Sequence, residues 1–224
     1  MVCEDQRSLP VTAPLGLAPS SIFKEKFENV VKSRIIDHLE VLLRAESSSL
    51  TSSPYFKAQY MSLMHPHPLW SSCGSNPFEV HKAVTAARML SGRYLTDKLQ
   101  RHWTLNRDGL CLLPNCIPGS EGSLEHIMLE CISLNQTRTQ FFSLCSEIAA
   151  EHEALSGIIS PIFESNIQSL VMQLLLDCTA LPDVLISVQV YGPIIRDRLL
   201  YLGRTWCYSI HRERMNQLGL LDYR

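Results

Sequence analysis

The sequence predicts a mostly α-helical protein, a helical domain carrying one small turn-rich insertion. Over long stretches the apolar residues recur at spacings of three and four, which is the pattern of helices that bury one face. The most strand-like fragment, 188–190, is too short to build a sheet. Of the 224 residues, 46% are hydrophobic and 19% charged, which excludes a disordered or low-complexity chain.

The first helical region is predicted over residues 20–105. Residues 1–19, with three prolines, are expected to be a flexible leader. A long helix should begin at Ser20 or Ser21 and end near 44–46. Its apolar positions are Ile22, Phe23, Phe27, Val30, Val31, Ile35, Leu39, Leu42 and Leu43.

Two shorter helices complete this region. One should begin at Asn76 or Pro77, because proline is favoured at the first helical position, and end at Gly92. The other should run from Thr96, a capping residue, to His102. Beyond the insertion, residues 134–224 form a C-terminal helical region. Its helices are predicted over about 135–152, 163–178, 182–190 and 193–218.

The insertion, residues 106–133, carries the one pattern with clear chemistry. Cys111, Cys116, His126 and Cys131 form C-x4-C-x9-H-x4-C. Four soft or borderline ligands within 21 residues suit a tetrahedral, structural Zn²⁺ with no open catalytic position. Pro114-Asn115 allows the chain to reverse between the first two thiolates. Closing the site would compensate for the few apolar residues between 106 and 122.

The spacing of the last two ligands sets a geometric condition. Positions five apart on an ideal α-helix are rotated by about 140°. His126 and Cys131 can therefore share a metal ion only if the helix tightens or ends between them, and Ser123 can cap the turn that presents His126. The remaining cysteines are interpreted as isolated buried thiols. They are Cys3, Cys73, Cys145, Cys178 and Cys207.

Charge is distributed unevenly along a chain whose formal net charge is -2. Residues 82–107 contain six cations and one anion, whereas 117–191 contain nine anions and one cation. The cations before the metal pattern can contact phosphate groups, although they could equally form a solvated helix face. The candidate nucleic-acid-binding residues are Arg88, Arg93, Lys98, Arg101 and Arg107.

The segments ARMLSGRYLTDKLQRHWTLNRDGLCLLPNC and LEHIMLEC resemble the C-terminal region of non-LTR (LINE-type) retrotransposon reverse transcriptases. The resemblance covers roughly residues 20–140. In that family a Cys-Cys-His-Cys zinc-knuckle-like segment follows the polymerase, and the order of the four ligands here matches it. The resemblance implies binding of RNA or target DNA. The Tyr/Phe-x-Asp-Asp core of the polymerase is absent, so it implies a detached tail.

These observations predict a non-enzymatic, zinc-stabilised module that binds RNA or DNA. The alternative is a helical protein-interaction fragment, or an inert transposon relic, in which zinc is only structural. The chain contains no P-loop, no G-x-S-x-G and no H-E-x-x-H motif. It has no secretory signal pattern and no run of about 18 apolar residues. We therefore expect an intracellular protein of the nucleus or cytoplasm, without a membrane partner.

Overall fold

The computed structural model describes residues 21–48, 54–57, 65–101 and 108–220. Within these ranges the chain is helical and contains no β-strand, which confirms the predicted fold class. The expected leader, 1–19, lies outside the described residues. The helices are α1 Ser21–Ser48, α2 Pro68–Ser71, α3 Pro77–Leu90, α4 Asp97–Gln100, α5 Asn135–Glu151, α6 Glu153–Glu164, α7 Gln168–Asp177, α8 Pro182–Tyr191 and α9 Ile194–Gln217.

The contacts divide the chain after Leu42 into two compact units. Helix α1 supplies the described part of the first unit and extends past the boundary to Ser48. It occupies the predicted range, but most of its large apolar side chains are exposed. They are Phe27, Val30, Val31, Ile35, Leu39, Val41 and Leu42.

Helix α9 is the central element of the second unit and packs against α3, α5, α7 and α8. Leu199, Trp206 and Ile210 on α9 are almost completely buried. Gly203 allows α9 to approach α7 closely, because a Cβ atom at this position would collide with the backbone carbonyl of Leu175 on α7. The apolar core of the unit therefore lies around α9.

The beginnings of α3 and α4 follow the predicted capping chemistry. The Oδ1 atom of Asn76 accepts a hydrogen bond from the Phe78 backbone N–H at 3.0 Å, and Pro77 occupies the first helical position. The Oγ1 atom of Thr96 accepts a hydrogen bond from the Leu99 N–H at 3.1 Å. Helix α4 ends at Gln100, earlier than predicted.

Between residues 153 and 178 the prediction was incomplete: α7 lies within the predicted range, whereas α6 was not predicted. The structure contains two helices here, α6 and α7, where one was expected over 163–178. Gly157 and Pro161 lower the intrinsic helix propensity of α6. The helix forms because its apolar residues share one buried face. They are Leu155, Ile158, Ile159 and Ile162.

The structure also bears on membrane insertion. Among the residues that it describes, no single helix is long and apolar enough to cross a membrane. Helices α7 and α8, together with the residues that connect them, reach the required length and apolar content only as a pair, and the pair is bent by 42°. Most of α7, from Val171 to Asp177, is buried in the protein core.

Candidate metal centre

The first half of the metal-centre segment, which we define as residues 108–131, is a tight loop. A turn brings the Cys116 backbone N–H within 3.3 Å of the Leu113 carbonyl oxygen. Asn115 has a φ of 61°, a left-handed conformation that asparagine tolerates. On the return path the Cys111 N–H donates to the Ser120 carbonyl at 2.9 Å. The reversal predicted at Pro114-Asn115 is therefore present and brings both thiols to one side.

The second half presents His126 and Cys131. As predicted, the Oγ atom of Ser123 accepts a hydrogen bond from the His126 N–H at 3.1 Å. Residues His126–Glu130 form a π-helical turn, in which the Cys131 N–H donates to the His126 carbonyl at 2.8 Å. The helix does not tighten, which was one expectation; it widens, and it ends just before Cys131. Both changes reduce the rotation about the helix axis that would otherwise point the His126 and Cys131 side chains in different directions.

The four candidate ligand atoms converge. Those of Cys111, Cys116, His126 and Cys131 all lie within 4.8 Å of one another. The Sγ atoms of Cys111 and Cys131 are 3.8 Å apart, and the Cys116 Sγ atom lies 3.3 Å from the His126 Nε2 atom. His126 and Cys131 are buried, while Cys111 and Cys116 are half-buried. This group can hold a metal ion.

The thiols of the cluster differ in acidity. Hydrogen bonding with Cys111 is the main cause that lowers the pKa of Cys131, to about 5. The same hydrogen bond raises the pKa of Cys111. Burial raises the pKa of Cys116. A metal ion binds cysteine as thiolate, so metal binding at this cluster would displace the protons that the thiols carry.

Two charged side chains contact the ligands from outside the cluster. The Glu130 Oε2 atom lies 3.5 Å from the His126 Nδ1 atom, on the ring edge opposite Nε2. A carboxylate there favours the tautomer that leaves Nε2 free to bind a metal. Arg138 of α5 is buried and donates a hydrogen bond from Nη2 to the backbone carbonyl of Cys131.

Asp97 joins the metal-centre segment to α9. Its Oδ2 atom accepts a hydrogen bond from the Leu112 N–H at 3.3 Å, and its Oδ1 atom lies 3.1 Å from Nη2 of Arg214. Asp97 and Arg214 are 2% and 1% exposed, so this ion pair is fully buried. Gly122 packs against Asp97 so closely that an added Cβ atom would stand 2.6 Å from the Asp97 Cβ. Glycine is required for this contact.

The candidate nucleic-acid-binding residues differ in whether they are exposed or paired with a carboxylate. Arg88, near the end of α3, and Arg93, after it, are exposed. Lys98 is 3.0 Å from a carboxylate oxygen of Glu121, and Arg101 lies 3.9 Å from the other oxygen. These two cations are therefore partly neutralised by the metal-centre segment. Arg107 lies outside the described residues.

Sequence reasoning missed Asp97 and Arg138 as parts of this centre. Each of these residues has a charge opposite in sign to the other charged residues of its sequence region. Asp97 is the one anion between 82 and 107, and Arg138 is the one cation between 117 and 191. The sequence signal that could have identified them is a single charge of sign opposite to that of its neighbours, because such a residue often has a specific buried partner.

The cysteines outside the cluster agree with their interpretation as isolated thiols. Cys73, Cys145, Cys178 and Cys207 are buried and free. Burial raises the pKa of Cys145 to about 12, so this thiol is inert. Cys3 lies outside the described residues.

Comparisons with family models, with curated proteins and with solved structures found no match. The resemblance to LINE-type reverse transcriptases therefore stays a prediction from the segments quoted above.

Proposed function

We propose that this chain is a zinc-stabilised module that binds RNA or DNA and performs no catalysis. The observation that carries the proposal is the convergence of Cys111, Cys116, His126 and Cys131. Three sulfur atoms and one imidazole nitrogen are a ligand set suited to Zn²⁺, and four protein ligands fill a tetrahedral shell. The ion would be structural, because no position remains for a substrate or a water molecule.

The distances support this fit. Two sulfur atoms bound at about 2.3 Å to a tetrahedral ion stand about 3.8 Å apart, and a sulfur and a bound imidazole nitrogen stand about 3.6 Å apart. The corresponding distances are 3.8 Å between the Cys111 and Cys131 sulfurs and 3.3 Å between the Cys116 sulfur and His126 Nε2. The ligand atoms therefore need only small movements to bind the ion.

Nucleic-acid binding is the second part of the proposal. Arg88, on α3, and Arg93, just after it, are exposed and can reach phosphate groups. Lys98 and Arg101 contact Glu121, so we expect a smaller contribution from them. Binding to phosphates releases counterions, and the affinity should therefore fall steeply as the salt concentration rises.

The test measures fluorescence anisotropy of labelled single-stranded RNA and DNA with zinc-loaded protein over a range of salt concentrations. The double variant Arg88→Ala/Arg93→Ala should weaken binding and flatten its salt dependence. Arg198→Ala is the matched control, because Arg198 is an exposed arginine of α9 that contacts Glu151 at 2.8 Å. Binding that is absent, or equal in both variants, would refute the nucleic-acid part of the proposal.

A second candidate function, a helical protein-interaction module, is favoured by the exposed apolar side chains of α1. Phe27, Ile35 and Val41 are each more than half exposed on this helix. A continuous exposed apolar stripe is typical of a surface that binds another protein. Under this function zinc would keep the same structural role, and the nucleic-acid assay above would be negative.

A further inference from the structure

Arg138 is a buried cation in an acidic part of the chain. It is the single cation between residues 117 and 191, where nine anions occur. It is nonetheless only 6% exposed, although a solvated position on α5 would have been less costly. A buried charge in a native structure normally has a partner of opposite charge or a full set of hydrogen bonds.

The hydrogen bonds of Arg138 do not account for its burial. Its Nη2 atom donates to the Cys131 carbonyl and, at 3.3 Å, to the Asn135 Oδ1 atom. Both acceptors are uncharged. The Nη1 atom is buried and has no hydrogen-bond partner. Burial lowers the pKa of Arg138, whereas the charges of Cys131 and Glu130 raise it, and both residues belong to the metal centre or its surroundings.

The charge of a loaded metal centre supplies the missing partner. Three thiolates, a neutral imidazole and Zn²⁺ carry a net charge of about −1. With His126 and Cys131 buried, water cannot screen this charge well. One guanidinium of charge +1 at Cys131 would neutralise the centre. The carbonyl that accepts the hydrogen bond from Arg138 belongs to Cys131, a metal ligand. The Arg138 side chain would therefore both offset the charge of the metal centre and fix the backbone position of one ligand.

We propose that Arg138 is the positioning residue of the metal centre, where its charge offsets the net negative charge of the Cys-Cys-His-Cys site and its Nη2 hydrogen bond fixes the backbone of Cys131. This inference rests on the zinc part of the proposed function. It adds a fifth residue that the ligand pattern does not contain. Residues outside the ligand set commonly change metal affinity by 10–100-fold when removed.

The experiment compares Arg138→Gln with Arg138→Lys in the full chain. Glutamine retains an N–H donor for the Cys131 carbonyl but removes the charge, whereas lysine retains the charge. Zn²⁺ affinity is measured by competition with a chromophoric chelator. We expect Arg138→Gln to lose about tenfold or more in affinity and Arg138→Lys to lose clearly less.

A second readout separates this role from a general effect on folding. Co²⁺ replaces Zn²⁺, and the thiolate-to-cobalt charge-transfer band is recorded. Loss of the nearby positive charge should shift this band to longer wavelength in Arg138→Gln, while Arg138→Lys should stay near the parent chain. Arg204→Gln is the matched control, because Arg204 is also buried, at 2% exposed, and has a buried Nε atom without a partner, but it pairs with Glu79.

The outcomes are distinct. An Arg138→Gln protein with parent-like affinity and spectrum would overturn the inference, and so would equal losses in the glutamine and lysine variants. A parent chain that binds neither Zn²⁺ nor Co²⁺ would instead refute the zinc part of the proposed function. If Arg138→Gln does not fold, a folded Arg138→Lys with a shifted band and tenfold weaker binding would also contradict the role of charge.

Discussion

Residues 108–122 of the metal-centre segment and the core around α9 are held together by different interactions. Between residues 108 and 122, Leu113 is the one large apolar side chain that is buried, while Leu112 and Ile117 are exposed. The order of residues 108–122 depends instead on backbone hydrogen bonds and on the four converging ligand atoms. Helix α9 instead buries a row of apolar side chains against four neighbouring helices. A short segment without enough apolar surface thus needs another source of stability.

The largest expected effect is the loss of the metal ion. A chelator, or the double variant Cys111→Ser/Cys116→Ser, should remove amide hydrogen-exchange protection from residues 108–122 and leave the helical circular dichroism largely unchanged. Binding of structural Zn²⁺ contributes about 10–16 kcal/mol in zinc-finger peptides, and under the proposed function that energy would order this one segment.

Cys73→Ser is the control for this experiment. Cys73 lies outside the cluster, and its Sγ–H donates to the Leu69 carbonyl at 3.0 Å, a bond that serine can keep. Protection of residues 108–122 that survives chelation would show that the segment is stable without a metal ion.

The second effect concerns the buried contact between the two regions. Asp97→Asn would leave the Arg214 guanidinium buried without its charge partner, at a cost of about 3–5 kcal/mol. Because Asp97 also accepts a hydrogen bond from Leu112, exchange in the metal-centre segment should increase as well. Urea denaturation measures the first change.

The comparison for this variant is Asp183→Asn, at an exposed carboxylate in the first turn of α8. It should cost less than about 1 kcal/mol. Equal losses of stability in the two variants would argue against a structural role for the Asp97–Arg214 pair.

Shortening a buried apolar side chain should destabilise the core around α9 and leave the metal-centre segment unaffected, which is the opposite of the result expected for metal removal. Leu199→Ala, at a fully buried position of α9, should cost about 3 kcal/mol in the free energy of unfolding and leave zinc affinity unchanged in the folded protein. Leu112→Ala, at a position 46% exposed, should cost little. A large effect of Leu112→Ala on stability would mean that the segment depends on apolar packing after all.

The smallest effect is a pH dependence at the edge of the core. Burial, with the charges of Arg214, His81 and Arg88, lowers the pKa of His211. Its Nδ1 atom lies 3.2 Å from the Tyr94 hydroxyl. The folded state binds a proton at His211 less readily than the unfolded state does. Stability should therefore fall as the pH decreases through about 6.5, the ordinary histidine value.

His211→Gln should reduce the decrease in the urea midpoint between neutral and mildly acidic pH. Metal release at acidic pH affects parent and variant alike, so the difference between them isolates His211. His65→Gln, at an exposed histidine, should follow the parent chain. Identical pH profiles for all three proteins would contradict the effect.

Several helices could be predicted because local chemistry and burial agree. Asn76, Pro77 and Thr96 begin helices where capping rules place them. Helix α6 was missed because Gly157 and Pro161 disfavour a helix locally, whereas the burial of its apolar face favours one. The domain boundaries at 105 and 133 stay predictions, as does the resemblance to reverse transcriptases.

The four ligands of the candidate centre were visible in the sequence, since metal-binding residue types at short spacing are a local pattern. The turns that bring them together were also local, apart from the π-helical form of the His126 turn. The surroundings of the centre could not be read in the same way. Arg138 approaches Cys131 across seven residues, and Asp97 meets Arg214 across 117. Such pairs form only when helices pack, because burial removes the water that would otherwise solvate each charge alone.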